Sequence, residues 1–142
     1  VARDVNNLGG VLEDEGDLSG AKASYERALR IAENSLSSDN PDIAVYVNNL
    51  GKVLREEGDL TGAKTAFERA LRIDEAAYGP DHPDIAIDVS NLGSVLYEMG
   101  NFPGARVALE RALVILEKNF GHDHPLTQAI QGNLPTLASK GT

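Results

Sequence analysis

The sequence predicts an all-α solenoid of antiparallel helix pairs. Three observations predict it. The chain repeats itself every 42 residues: Asn7-Leu8-Gly9 returns as Asn49-Leu50-Gly51, as Asn91-Leu92-Gly93 and, altered, as Asn133-Leu134-Pro135. Periods of roughly 20–50 residues mark supersecondary units that stack on one another. Within a repeat, apolar residues fall at helical spacing, as Ile43, Val47, Leu50 and Leu54 do at i, i+4, i+7 and i+11. Finally, Gly16-Asp17-Leu18, Gly58-Asp59-Leu60 and Gly100-Asn101-Phe102 interrupt each repeat at the same place and divide it into two helices.

The period sets one domain with repeats over about 1–40, 41–82 and 83–124 and a terminal capping helix over about 125–138. The chain begins Val1-Ala2-Arg3 without Met, and Arg3-Asp4 align with Val45-Tyr46 and Ile87-Asp88 inside later helices. A piece cut from a longer protein is therefore expected. In the second repeat, Pro41 opens the first helix, where its missing N–H costs nothing. Asp39 and Asn40 precede it and can cap the free N–H groups. Asp81-His82-Pro83 and Asp123-His124-Pro125 repeat that device.

The second helix of this repeat is predicted from about Thr61 to Ala77, with Ala63, Phe67, Ala70 and Leu71 on its inner stripe. Glu68–Arg72 and Glu26–Arg30 are expected to form i, i+4 ion pairs, each worth about 0.2–0.5 kcal/mol. Tyr78-Gly79-Pro80 breaks the helix. Gly9, Gly51 and Gly93 fall mid-helix, where Gly costs ~1 kcal/mol against Ala. Three copies in register predict close approach of the paired helix. In the fourth unit, Leu126, Ala129, Ile130 and Leu134 continue an apolar stripe, but Pro135 replaces the glycine. Interior Pro removes a hydrogen bond, so this helix is expected to kink or end near Asn133.

Composition excludes several function classes. The net charge is −9, from 22 acidic and 13 basic residues, which argues against nucleic-acid and anionic-membrane surfaces. No apolar run approaches the ~20 residues of a membrane span. There is no cysteine, which removes disulfides and thiolate metal sites and is compatible with the cytoplasmic location expected here. A Gly-rich phosphate loop and a nucleophile elbow are both missing, so a non-catalytic chain without cofactor is expected. His122-Asp123-His124 suggests a metal only at first sight. Its counterparts are Pro80-Asp81-His82 and Ser38-Asp39-Asn40, and a capping role accounts for it.

These residues resemble the tetratricopeptide repeat family. The middle repeat carries Leu50-Gly51, Leu54, Gly58, Leu60, Ala63, Phe67 and Ala70 at the family's spacings. The first carries Leu8-Gly9, Leu12, Gly16, Leu18, Ala21, Tyr25 and Ala28; the third carries Leu92-Gly93, Leu96, Gly100, Phe102, Ala105, Leu109 and Ala112. The usual repeat has about 34 residues. The longer form with Gly79-Pro80-Asp81-His82-Pro83-Asp84 resembles the kinesin light chain type. That type also occurs in bacterial and archaeal regulatory proteins, where it can follow a nucleotide-binding domain. Two departures stand out. Val5, Val47 and Val89 replace an aromatic in the first helices, and Leu109 replaces one in the third repeat.

The resemblance implies a right-handed solenoid whose first helices line a concave face that binds protein or extended peptide. It also implies that the row Asn7, Asn49, Asn91 and Asn133 hydrogen-bonds a ligand's backbone, for which a carboxamide has both donor and acceptor. The residues alone allow a second role, in which each Asn bonds a neighbouring helix and fixes the stacking. Groove positions that break the period are Arg3, Asn6, Gly10, Glu13 and Asp14; Val45, Asn48, Lys52, Arg55 and Glu56; Ile87, Ser90, Ser94, Tyr97 and Glu98. In the fourth unit they are Ala129, Gly132 and Thr136. Lys52 and Arg55 lie about one turn apart and could meet a ligand carboxylate. Asn6 and Gly10 replace the residues of the family's clamp for a C-terminal carboxylate, so that specificity is not expected.

Peptide or protein binding without catalysis is therefore the leading expectation, with no nucleic acid and no membrane as partners. Two alternatives belong to other classes. One is a sensor or oligomerisation arm of a larger signalling ATPase. The other is a self-associating structural module, stacked end to end through open terminal repeats.

Overall fold

Glycine turns set where each helix pair folds back. In the computed structural model, which describes the backbone of residues 1–140 and the side chains of residues 1–132, Gly16, Gly58 and Gly100 have φ of +85°, +88° and +83°. Only glycine takes that conformation without strain. They separate α1 (Ala2–Asp14) from α2 (Leu18–Ser35), α3 (Pro41–Glu56) from α4 (Leu60–Tyr78), and α5 (Pro83–Glu98) from α6 (Phe102–Phe120). A last helix, α7, spans Pro125–Lys140. There is no strand among the described residues.

Every helix start after α1, whose N-cap Val1 makes no side-chain bond, is capped by the residue the period puts there. Asp17, Asp59 and Asn101 accept hydrogen bonds from the N–H groups of Gly20, Gly62 and Gly104 at 2.9, 2.9 and 3.0 Å. At the other turns, Asn40 Oδ1 accepts from the Asp42 N–H at 2.9 Å, and His82 Nδ1 accepts from the Asp84 N–H at 3.1 Å. His124 Nδ1 accepts from the Leu126 N–H at 3.2 Å. The histidines thus take the role that Asn40 plays earlier in the chain. An unsatisfied N-terminal N–H would cost each helix about 1 kcal/mol.

The chain divides into two compact units, Val1–Ala77 and Tyr78–Thr142. In the first, Ile43, Val47, Ala28, Ala70 and Ile73 form one cluster, with Val5 and Leu36 packed against it. A second cluster joins Ala21, Tyr25 and Val53. The mid-helix glycines admit the aromatic of the paired helix. A Cβ on Gly9 would stand 2.6 Å from the Tyr25 ring, and one on Gly51 would stand 2.7 Å from Phe67. In the second unit the partner is Leu109, and a Cβ on Gly93 would meet Ala108 at 3.3 Å. Leu96 and Ala105 are the buried centre there, with Leu92, Phe102 and Leu109 around them.

Three expectations are corrected. Glu26–Arg30 and Glu68–Arg72 do not pair; Arg69 instead reaches Glu33 at 3.5 Å, and Arg106 pairs with Glu110 at 3.5 Å. Exposed ion pairs gain too little to dictate which partner a long side chain takes. In α7, Leu126 is 50% exposed and Ala129 is exposed, whereas Thr127 and Ile130 are buried. The period explains it: Thr127 stands where Ile43 and Ile85 are fully buried, and Leu126 falls one position off that stripe. The helix runs on past Asn133 to Lys140. The side chains of Asn133, Leu134, Pro135 and Thr136 lie outside the described residues.

Candidate functional site

The residues expected to bind sit on the first helix of each pair. In the first unit, α1 and α3 meet along this face. The Asn49 side chain donates from Nδ2 to Asn6 Oδ1 at 3.0 Å. The two residues are 43 apart, one more than the repeat, so α1 and α3 are staggered by about one residue at this contact. Asn49 therefore holds α3 against α1, and both amides are half-buried.

Two turns further along, the same 43-residue offset pairs Glu13 with Glu56. The two carboxyl groups are close enough for Glu13 to raise the pKa of Glu56, and the Tyr25 hydroxyl donates to Glu13 Oε2 at 2.7 Å. Burial raises the pKa of Glu56, the neighbouring Glu13 raises it further, and Arg55 opposes them. Burial also pushes the Tyr25 phenol well above its ordinary range, with Glu13, Asp14 and Glu56 adding to it. This constellation was not found by reading the sequence. Its only signal is the offset of 43, which means nothing until the stagger between α1 and α3 is known.

The remaining positions of the first unit present a mixed surface. Val45 is 51% exposed, Asn48 is half-buried and Lys52 is exposed, all along one side of α3. From Val45 to Lys52 is seven residues, or about 10 Å of helix. Lys52 has no ion-pair partner among the described residues. Arg55 is half-buried three residues on. On α1, Arg3 and Asn7 are exposed. Arg3 lies close enough to Tyr46 to oppose the rise in its phenol pKa, which burial and Asp42 cause.

In the second unit, Ser90, Asn91, Ser94 and Tyr97 lie half-buried on α5. Tyr97 stacks edge-on against Phe102 with ring centroids 5.2 Å apart. The Nδ2 of Asn91 is buried and has no hydrogen-bond partner among the described residues. Asn133 lies outside the described residues. Of the residues expected to bind, the structure thus brings Asn6 and Asn49 into direct contact. The loop histidines have other work: His124 caps α7, and His122 Nδ1 lies 3.2 Å from Glu117 Oε1. No described helix is long and apolar enough to cross a membrane.

The tetratricopeptide repeat family matches the chain over residues 3–76 and again over 42–118. No curated protein sequence matches it significantly. Among solved structures, BtubC (BKLC) from P. vanneervenii is similar at 22% identity with a TM-score of 0.92, covering 99% of this chain and 56% of that one. The Podosopora anserina structure described as kinesin light chain nearly identical TPR-like repeats has 20% identity and a TM-score of 0.88. It covers 98% of this chain and 66% of its own. The Sgt2 TPR domain from Aspergillus fumigatus has 24% identity and a TM-score of 0.71, covering 98% and 78%. The chain therefore spans less than two thirds of the first two structures it resembles.

Proposed function

The chain belongs to the tetratricopeptide repeat family, and from that premise we propose that it is a protein-interaction scaffold that binds an extended peptide along α1 and α3. The observation that carries this reading is the α3 stripe of Val45, Asn48 and Lys52. It offers an apolar contact, an amide and an unpaired ammonium within about 10 Å. A short segment with one apolar side chain and one carboxylate, spaced about three extended residues apart, matches that stripe.

Asn49 contributes differently from what its place in the row implies. Its Nδ2 is committed to Asn6, so it shapes the face and leaves its Oδ1 as the group able to accept from a ligand. Arg3 and Asn7 flank the stripe on α1, and Arg55 continues it on α3. In the second unit, Ser90, Asn91, Ser94 and Tyr97 are the corresponding positions on α5, all of them half-buried.

A peptide array screened with the protein, followed by amide chemical-shift mapping of the best sequence, tests the reading. Shifts are expected to concentrate on residues 3–7 and 45–55. Shifts confined to α2 and α4 would place binding on the opposite face and reject it.

A further inference from the structure

Three helices of this chain begin in the same way, yet their caps differ in one chemical respect. Before α3, the acceptor is the Asn40 carboxamide, which does not titrate. Before α5 and α7, it is the Nδ1 of His82 and of His124. A ring nitrogen accepts a hydrogen bond only while it carries no proton. Imidazole as a side chain gains its second proton between about pH 5 and 8, and an imidazolium has two N–H donors and no acceptor.

The two histidines are held alike. Tyr78 stacks on His82 with centroids 4.5 Å apart, and Phe120 stacks on His124 at 4.6 Å. Their charged surroundings differ. Asp84 Oδ2 lies 3.8 Å from His82 Nδ1, so a protonated His82 exchanges its backbone bond for an ion pair. Asp81, its neighbour in sequence, is held by Lys118 at 2.7 Å. At His124 the residue equivalent to Asp84 is Leu126, and no carboxylate among the described residues is in ion-pair contact with the ring. Asp123 adjoins it in sequence, while Glu117 of α6 is taken by His122 and by Gln131 Nε2 at 3.0 Å.

We propose that His124 is a pH-releasable cap on α7: a proton at Nδ1 removes the acceptor of the Leu126 N–H, places a positive charge at the positive end of the helix, and loosens its first turn. The cap contributes while the ring is neutral and is lost when the ring takes up a proton. α5 is buffered against the same change by Asp84, and α3 does not respond. A cap is worth about fivefold in the equilibrium between closed and frayed turns.

Two measurements test this. Ring-nitrogen NMR at pH 8 should find His124 with its proton on Nε2 and a bare Nδ1; a proton on Nδ1 overturns the proposal. Amide exchange at Leu126 and Gln128 is then compared between the wild type and His124→Asn, which copies Asn40, from pH 8 to pH 5. The ratio of protection should be near one at pH 8, with the wild type about fivefold less protected at pH 5. A ratio that stays constant with pH overturns it. Asp84→Leu should transfer the response to the first turn of α5; an α5 that stays pH-independent in that variant also overturns it.

Discussion

The Asn49 amide donates to Asn6 Oδ1 at 3.0 Å, joining two first helices across the face proposed to bind ligand. A residue that could serve a ligand is thus employed in the fold. Asn49→Ala should destabilise the first unit by about 1 kcal/mol, the usual net worth of such a bond. Lys52→Ala, which removes an exposed and unpaired side chain, should change stability by less than about 0.5 kcal/mol. Urea unfolding of the two variants checks the contrast.

Gly51 and Gly93 occupy the same repeat position with different neighbours. Alanine gains ~1 kcal/mol of helix propensity at either. At Gly51 the new Cβ would stand 2.7 Å from a fully buried Phe67 ring, and relieving that overlap costs about 1–3 kcal/mol. At Gly93 the nearest atoms are Ala108 Cβ at 3.3 Å and the flexible end of Leu109 at 3.4 Å. Gly51→Ala should therefore lower Tm, and Gly93→Ala should lower it much less or raise it.

Val11 and Val53 are also register equivalents. Val53 is 0% exposed, packed with Ala21 and Tyr25 of α2, whereas Val11 on α1 is 53% exposed. Val53→Ala should cost about 1–3 kcal/mol and Val11→Ala under about 0.5 kcal/mol. Equal effects at the two sites would show that the α1 face is covered in solution.

The Glu13–Glu56 pair makes a pH prediction. Glu56 has its folded pKa raised, so the folded state holds its proton to a higher pH than the unfolded chain does. Its stabilising share is complete below the unfolded carboxylate range and is lost as pH rises through the folded value. Glu56→Gln keeps a neutral donor towards Glu13 at every pH. This variant should melt above the wild type at pH 8, and the gap should close by pH 4. A gap that persists unchanged at pH 4 would mean that the pair shares no proton.

The period made most of the fold legible. Gly58 as a left-handed turn, Pro41 as a helix start and Gly51 as a close approach all follow from local chemistry repeated in register. The same register, had it been applied to the fourth unit, would have put Thr127 inside and Leu126 outside; apolarity alone pointed the wrong way. What stayed hidden depends on stagger between helices. The Asn6–Asn49 bond and the approach of Glu13 to Glu56 need the 43-residue offset, which no single repeat contains. Surface ion pairs such as Arg69–Glu33 stayed hidden for another reason, since their energies are too small for spacing to select them.

The central claim is that the α3 stripe binds peptide through Lys52. Its most direct test is the Kd of the best array peptide for the wild type and for Lys52→Glu, with circular dichroism and Tm measured alongside. Charge reversal at the contact should weaken binding by at least about tenfold, which is roughly 1.4 kcal/mol, and leave helicity and Tm unchanged. Binding undiminished in a fully folded Lys52→Glu protein would contradict the account.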